Sequence, residues 1–307
     1  MKVAVTGAAG YIGGMVCRRL LETGYDLIPV DNLSANKIQS IDGQQIINAD
    51  ITNPQQIFSV LRDADAIIHL AAIPGVAPCN ERPVESFTAN VIGTQNLCGV
   101  SKETGAGIIF AASMAVFGEP QVFPITEKAK MAPVNTYGKQ KYLAMKFLLE
   151  CAKLYEFPAF AFLKSNIYGT YEMNGATVIK PTAVNLFLQR AQAGEPITIF
   201  KPGTQARNFI HVSDIADAYV LGIKKIKTAK KPRSINIAHQ ELSVMSIAEQ
   251  IKLAFAAKGN EVKIDLVENP RKDEVVSEAF SIDTTLAKKL LGFEPKITLQ
   301  KFLESAI

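Results

Sequence analysis

Three side chains in this 307-residue chain have the types and spacing needed to oxidise an alcohol: Ser113, Tyr137 and Lys141. Ser113 follows an apolar run, Ile108-Ile-Phe-Ala-Ala112. Tyr137 comes 24 residues later and Lys141 four beyond it, so the two share one face of a helix. Removing a hydride from a secondary alcohol requires a base for the hydroxyl proton. A tyrosine with an ordinary pKa near ~10 is too weak a base at neutral pH. An ammonium about 5 Å away, at an effective dielectric near ~20, stabilises the phenolate by roughly 3 kcal/mol, worth about two pKa units. Ser113 would hydrogen-bond the substrate oxygen. The spacing occurs twice, because Tyr142 and Lys146 repeat it. Five positions turn a helix by about 140°, so both pairs cannot face one site. The first pair follows Pro133-Val-Asn-Thr136 and lies in an opening turn, near strand ends. The second is expected on a solvated or interfacial face.

A hydride needs an acceptor, and the first 31 residues describe a place to hold one. Lys2-Val-Ala-Val-Thr6 is an apolar, strand-like run, followed by Gly7-Ala-Ala-Gly10-Tyr-Ile-Gly13-Gly14. An amphipathic segment reaches Thr23, and a second apolar run, Leu27-Ile-Pro-Val30, ends on Asp31. Strand, tight glycine turn, helix, strand and acid make the first βαβ unit of a dinucleotide-binding fold. Gly7 permits the turn, Gly10 lets the backbone approach a pyrophosphate, and Gly13 lets helix and strand pack closely. The free N–H groups of the helix start face the phosphates. Asp31, 18 residues past Gly13, is placed to accept hydrogen bonds from a ribose and would repel a 2′-phosphate, which favours NAD over NADP.

The remaining chain supplies the elements that must position these groups. Strands are expected at 45–48, 66–72, 108–112 and 159–163, with helices at 54–61, 83–103 and 133–155. Runs as continuously apolar as Ala66-Ile-Ile-His-Leu-Ala-Ala72 suit parallel strands buried on both faces. This alternation predicts an α/β fold with a Rossmann-type doubly wound parallel sheet, whose ligands bind at the carboxyl ends of the strands. Beyond residue 165, glycines and prolines punctuate short strands (197–200, 234–237, 263–267) and helices (182–193, 212–224, 246–258, 284–290). The expected organisation is an NAD-binding domain over 1–165 and a smaller α/β substrate lobe over 166–307, with segments that interleave with the first domain.

Composition narrows the class. With 48% hydrophobic and 20% charged residues, the chain can fill a full-sized globular core. The net charge is +4, and its local excess, Lys224-Lys225, Lys227, Lys230-Lys231 and Arg233, has no interleaved aromatic residues. It reads as a solvated helix end and loop, and no nucleic-acid partner is expected. Cys17, Cys79, Cys98 and Cys151 form no Cys-x-x-Cys pair, and the three histidines, His69, His211 and His239, are scattered, so no metal site is expected. No apolar run is long enough for a membrane span, and Met1-Lys2 leads straight into a strand with no signal peptide, so a cytoplasmic location is expected.

With these motifs assembled, the chain resembles the extended short-chain dehydrogenase/reductases of the NAD-dependent epimerase/dehydratase family, and within it the UDP-galactose 4-epimerases. The resemblance rests on Gly7-Ala-Ala-Gly10-Tyr-Ile-Gly13, Val30-Asp-Asn-Leu-Ser34, His69-Leu-Ala-Ala72, Asn90-Val-Ile-Gly-Thr94, Ser113-Met-Ala-Val-Phe-Gly118, Tyr137-Gly-Lys-Gln-Lys141, Asn166-Ile-Tyr-Gly169 and Arg207-Asn-Phe-Ile-His-Val212. It implies that Gly7, Gly10, Tyr11, Ile12 and Gly13 hold the pyrophosphate, with Asp31, Asn32 and Ser34 around the adenosine ribose. Asp50 and Ile51 would edge the adenine, Leu70, Ala71 and Ala72 would line the cofactor channel, and Asn90 would support it. Tyr137 and Lys141 would reach the nicotinamide end, with Lys141 on its ribose. Ser113 and Asn166 would contact substrate, and Arg207 and Arg271 would grip a nucleotide diphosphate.

Departures from the family pattern shape the functional expectation. Dehydratases carry Asp-Glu after the catalytic serine or threonine, and decarboxylases of UDP-glucuronate keep the glutamate; here those places are Met114 and Ala115. Phe117 replaces a tyrosine, and Gln140 replaces the serine before the lysine, a change expected to be minor. The 175–182 loop lacks the usual Asn-Leu pair, and Arg271-Lys-Asp-Glu274 replaces Arg-x-Gly-Asp. The resemblance implies a UDP-glucose/UDP-galactose 4-epimerase working through a 4-keto sugar. The alternatives are an NAD-dependent dehydrogenase or reductase of a nucleotide sugar or other secondary alcohol, and a non-catalytic NAD sensor. The resemblance also implies a homodimer through the 83–103 and 133–155 helices.

Overall fold

A computed structural model describes residues 1–35, 38–269 and 277–307. Its centre is a sheet of seven strands: β1 (Lys2–Thr6), β2 (Asp26–Asp31), β3 (Ile47–Asn48), β4 (Ala66–His69), β5 (Gly107–Ser113), β6 (Ala159–Lys164) and β7 (Arg233–Ile237). The spatial order is β7-β6-β5-β4-β1-β2-β3, and every neighbouring pair is parallel. This is the doubly wound Rossmann-type fold expected from the alternating pattern. The order reverses between β1 and β4, so the connections leaving those strands splay apart and open a crevice at their carboxyl ends.

The inner strands bury both faces. Val3, Val5, Ile68, Ile109, Ala111, Phe160 and Phe162 pack against α1 (Tyr11–Glu22) and α5 (Val212–Ile226). The alternate residues Ala4, Ile67, Ile108, Phe110, Ala112 and Leu163 pack against α2 (Pro54–Leu61), α3 (Gly93–Thr104) and α4 (Thr136–Leu154). The two-residue period of the strands thus divides one apolar run between two cores. Helix ends are set locally: Asn53 accepts from the Gln56 amide at the start of α2, and Asn135 accepts from the Gly138 amide at the start of α4.

A third core, with Tyr168, Val184, Leu188, Ile199, Phe209, Ile251 and Phe302, lies in the later part of the chain. It is built on a three-stranded sheet of Asn166–Tyr168, Ala206–His211 and Gln240–Ser243, and on a parallel pair, Ile197–Phe200 with Ile264–Val267. A hairpin of Tyr171–Met173 and Ala176–Val178 leaves this region and packs on the first turn of α1. The division is not a cut at one point in the chain, because α5 and β7 return to the large sheet.

Several local expectations differ from the structure. The single helix over 83–103 is instead a short helix, Pro83–Phe87, a π-turn, Thr88–Ile92, and α3, with another short helix, Val76–Glu81, ahead of them. The wider turn carries Asn90, whose amide holds both the N–H and the C=O of Ile73. The strand expected over 66–72 ends at His69. The strand over 45–48 separates into Gln44–Gln45, paired with Ser40–Ile41, and β3.

Candidate active site

The glycine turn is as tight as its sequence suggested. Gly7 has φ +77°, and a Cβ there would lie 2.6 Å from the Ala71 nitrogen. A Cβ on Gly13 would lie 2.0 Å from the Gly7 carbonyl oxygen. Only hydrogen fits at either place, which leaves the α1 amino terminus bare beside β1 and β4, a cradle for a pyrophosphate. Tyr11 and Ile12 open α1, and the Tyr11 hydroxyl donates to the Gly169 carbonyl at 2.7 Å.

At the end of β2, Asp31 is held rigidly: its carboxylate accepts from the Ala9 amide at 3.0 Å and the Leu33 amide at 2.8 Å. Burial raises its pKa, against the lowering effect of the Leu33, Ala9 and Asn32 amides. Each oxygen keeps a lone pair for a ribose hydroxyl. Asn32 accepts from the Ser34 amide at 3.1 Å and donates to Asp50 at 2.9 Å, so these three residues form one polar rim. Burial pushes the Asp50 carboxyl up, but hydrogen bonds from Asn32 and Thr52 outweigh it and the net shift is down. The Ile51 side chain turns into the core, where it fills the space a Cβ on Gly93 would need, and its carbonyl accepts from Asn96. Leu70, Ala71 and Ala72 follow β4 half-buried, with the Leu70 amide bonded to the Thr6 carbonyl at 3.0 Å. The glycine cradle and the fixed carboxylate fit an NAD dinucleotide.

The Ser113 hydroxyl lies beside that of Tyr137 and favours its ionised form. They approach because a Cβ on Gly138 would lie 2.6 Å from the Ala115 carbonyl oxygen, so α4 starts directly on the turn after Ser113. Ser113 also accepts from the Ala115 amide at 3.2 Å. Tyr137 is in the first turn of α4, where the helix dipole favours negative charge. Lys141 lies one turn on, 2% exposed, its ammonium 4.7 Å from the centre of the Phe110 ring. The other candidate pair is apart from this site: Tyr142 is half-buried against the core on this side of the sheet, and Lys146 is exposed.

One electrostatic expectation fails in the protein by itself. Burial pushes the Tyr137 hydroxyl up to about 12, opposed by the neighbouring Ser113 hydroxyl, whereas a value near ~8 was expected from the lysine charge. Burial also pulls Lys141 down to about 8, so its ammonium has lost its proton before Tyr137 ionises. Desolvation is the largest cause of both shifts.

Behind the pair lies a buried network that the sequence did not reveal. Gln140 accepts from Asn90 at 2.7 Å and donates to the Ser86 hydroxyl at 2.9 Å. It therefore ties α4 to the turn that holds Ile73, beside the cofactor channel; its only sequence signal was its substitution for serine. His69 is structural, bridging Thr6 at 2.8 Å and Thr94 at 3.0 Å, with its pKa lowered to about 3 by burial.

Two of the expected substrate residues fall at the rim. Asn166 donates to the Asn208 carbonyl at 3.1 Å. Arg207 is half-buried, its guanidinium 5.5 Å from the Phe280 ring centre, and has no carboxylate partner among the described residues. Arg271 lies outside the described residues.

A bare glycine turn, an acid ending β2, and a serine–tyrosine–lysine trio at the edge of a doubly wound sheet define a dinucleotide-dependent enzyme of the extended short-chain dehydrogenase/reductase class. Residues 3–238 match the model of the NAD dependent epimerase/dehydratase family, and the chain belongs to that family; its cofactor is NAD. A putative UDP-glucose 4-epimerase of Methanocaldococcus jannaschii is 28% identical over 99% of this chain and 97% of its own length. UDP-glucuronic acid decarboxylase 6 of Arabidopsis thaliana is 29% identical over 99% of this chain and 87% of its own. The crystal structure of UDP-glucose 4-epimerase from Thermotoga maritima, with UDP-glucose, superposes with a TM-score of 0.85 at 29% identity, covering 99% of this chain and 96% of that one.

Proposed function

We propose that the protein is a nucleotide-sugar 4-epimerase working through a 4-keto sugar, with UDP-glucose and UDP-galactose the pair that the resemblance names. The observation that carries this reading is the placement of the Ser113 hydroxyl beside Tyr137, in the first turn of α4, with Lys141 one turn beyond. NAD supplies a hydride acceptor and donor at the sugar C4. Ser113 holds the 4-oxygen, Tyr137 takes the hydroxyl proton, and Lys141 supplies positive charge as the phenolate forms. After the ring turns over, Tyr137 returns the proton. Gly7, Gly10, Tyr11, Ile12 and Gly13 serve the pyrophosphate; Asp31, Asn32, Ser34, Asp50 and Ile51 the adenosine; Leu70, Ala71, Ala72 and Asn90 the channel; Asn166, Arg207 and Arg271 the substrate. Residues 1–165 provide most of the NAD domain and 166–307 the substrate lobe.

Met114 and Ala115 favour epimerisation over dehydration or decarboxylation, because neither side chain can move a second proton. A homodimer through α4 and the segment before α3 belongs to the same proposal: Val84, Phe87, Leu143, Phe147 and Leu154 are exposed there. So does a cytoplasmic location, which suits four free thiols.

The test is NMR of the purified protein with UDP-galactose and no added NAD. UDP-glucose should form with no net change in nicotinamide absorbance, and Tyr137→Phe should abolish it. Failure to interconvert any UDP-hexose, N-acetylhexosamine or uronate would end the proposal. Stoichiometric NADH would select the dehydrogenase alternative.

A further inference from the structure

The sheet register sets a lysine beside the serine expected to hold the reacting oxygen. Ser113 and Lys164 are partners at the last rung between β5 and β6. Ile109 and Ala111, and Phe160 and Phe162, lie in the core on one face of the sheet. By strand alternation Ser113 and Lys164 fall on that same face, one strand spacing of about 4.8 Å apart. Lys180, just before the helix Ala183–Gln192, is anchored nearby: Asn185 donates to its carbonyl at 2.9 Å and to the Gly169 carbonyl at 3.1 Å.

These lysines and Lys141 form one electropositive group. Lys141 and Lys180 both act on Lys164, and Lys180 acts on Lys141, while no carboxylate among the described residues acts on any of the three. None of them has an ion pair among the described residues. Burial first, and then the two neighbouring charges, pull Lys164 down to about 7. Charging Lys164 beside Lys141 and Lys180 costs free energy, and an anion from outside the chain would offset that cost. The cofactor pyrophosphate is not that anion, because its cradle is at β1, three strand spacings or about 14 Å from β6. The substrate diphosphate is at the far end of the sugar from the hydroxyl that Ser113 holds. A charge on the reacting ring itself remains.

Resting on the 4-epimerase reading of this site, we propose that Lys164, flanked by Lys180, binds a carboxylate on the ring carbon next to the one oxidised, so that the substrate is a nucleotide uronate in place of a neutral hexose. Lys164 is then a specificity-determining residue, and a neutral hexose would leave its ammonium without a partner.

The test titrates the NAD-loaded protein calorimetrically with UDP-glucuronate and UDP-glucose and follows turnover of each by NMR, for the parent, Lys164→Met and Lys164→Arg. The parent should favour the uronate by roughly 10- to 100-fold in Kd and kcat/KM. Lys164→Met should collapse that ratio, and Lys164→Arg should restore most of it. A parent that favours UDP-glucose, or a Lys164→Met protein weakened equally toward both sugars, would overturn the subsite. Binding of UDP-glucuronate that depends on Lys164, without epimerisation of either sugar, would keep the subsite and remove the epimerase reading. Epimerisation of UDP-glucose with no Lys164-dependent preference would do the reverse.

Discussion

Lys141→Met should make the protein more stable and less active at the same time. The side chain is 2% exposed, and burial pulls its pKa from 10.5 down to about 8. Below pH 8 the lysine is protonated in both folded and unfolded chains, and the folded state bears the whole cost of burying the charge. Between about 8 and 10.5 the unfolded chain binds more protons, so stability rises with pH across that window. The 2.5-unit difference between the two values corresponds to roughly 3 kcal/mol at pH 7. Loss of the cation–π contact with Phe110 returns about 1 kcal/mol, leaving a net gain of ~2 kcal/mol, or a few degrees in Tm. The chemistry moves the other way. Losing an ammonium about 5 Å from the phenolate costs the oxidation roughly 3 kcal/mol, on the order of a hundredfold in kcat. The parent kcat should climb with pH through a midpoint near pH 8, where the site loses its first proton, and level off above it. Melting curves at pH 7 and 10, with and without NAD, and kcat from pH 6 to 9 measure both effects. A variant that melts below the parent at pH 7, or keeps kcat within about threefold, refutes the electrostatic account.

Two further substitutions address the supporting structure. Gly13→Ala forces a methyl to within 2.0 Å of the Gly7 carbonyl oxygen, so the turn must open. The NAD content of the purified protein should fall at least about tenfold, with ~1–3 kcal/mol of stability lost in denaturant titrations. Gln140→Leu removes the buried acceptor of Asn90 and the donor to Ser86, which should cost ~2 kcal/mol of unfolding free energy and lower kcat more than it weakens NAD binding. An unchanged denaturation midpoint would show the network to be dispensable.

The sequence alone determined what depends on neighbours within a turn or two. The glycine turn with its following acid, the Tyr137–Lys141 pairing on one face, the start of α2 at Pro54 and the alternation that yields a parallel sheet were all legible, because backbone φ and i,i+4 contacts are local. Most of the central strands fell within a residue or two of their predicted bounds.

Only the tertiary structure decided relations between distant positions. Asn166–Tyr168 is too short to announce itself and exists because it pairs with Ala206–His211. The π-turn at Thr88–Ile92 belongs to a bond between Asn90 and Ile73, 17 positions apart, and the weight of Gln140 to a partner 50 positions away. Lys164 stands beside Ser113 through strand register alone. The Tyr137 and Lys141 pKa values follow the same logic. Spacing sets which charges meet, but desolvation by everything packed around them sets the sign of the shift, and that packing exists only in the folded chain.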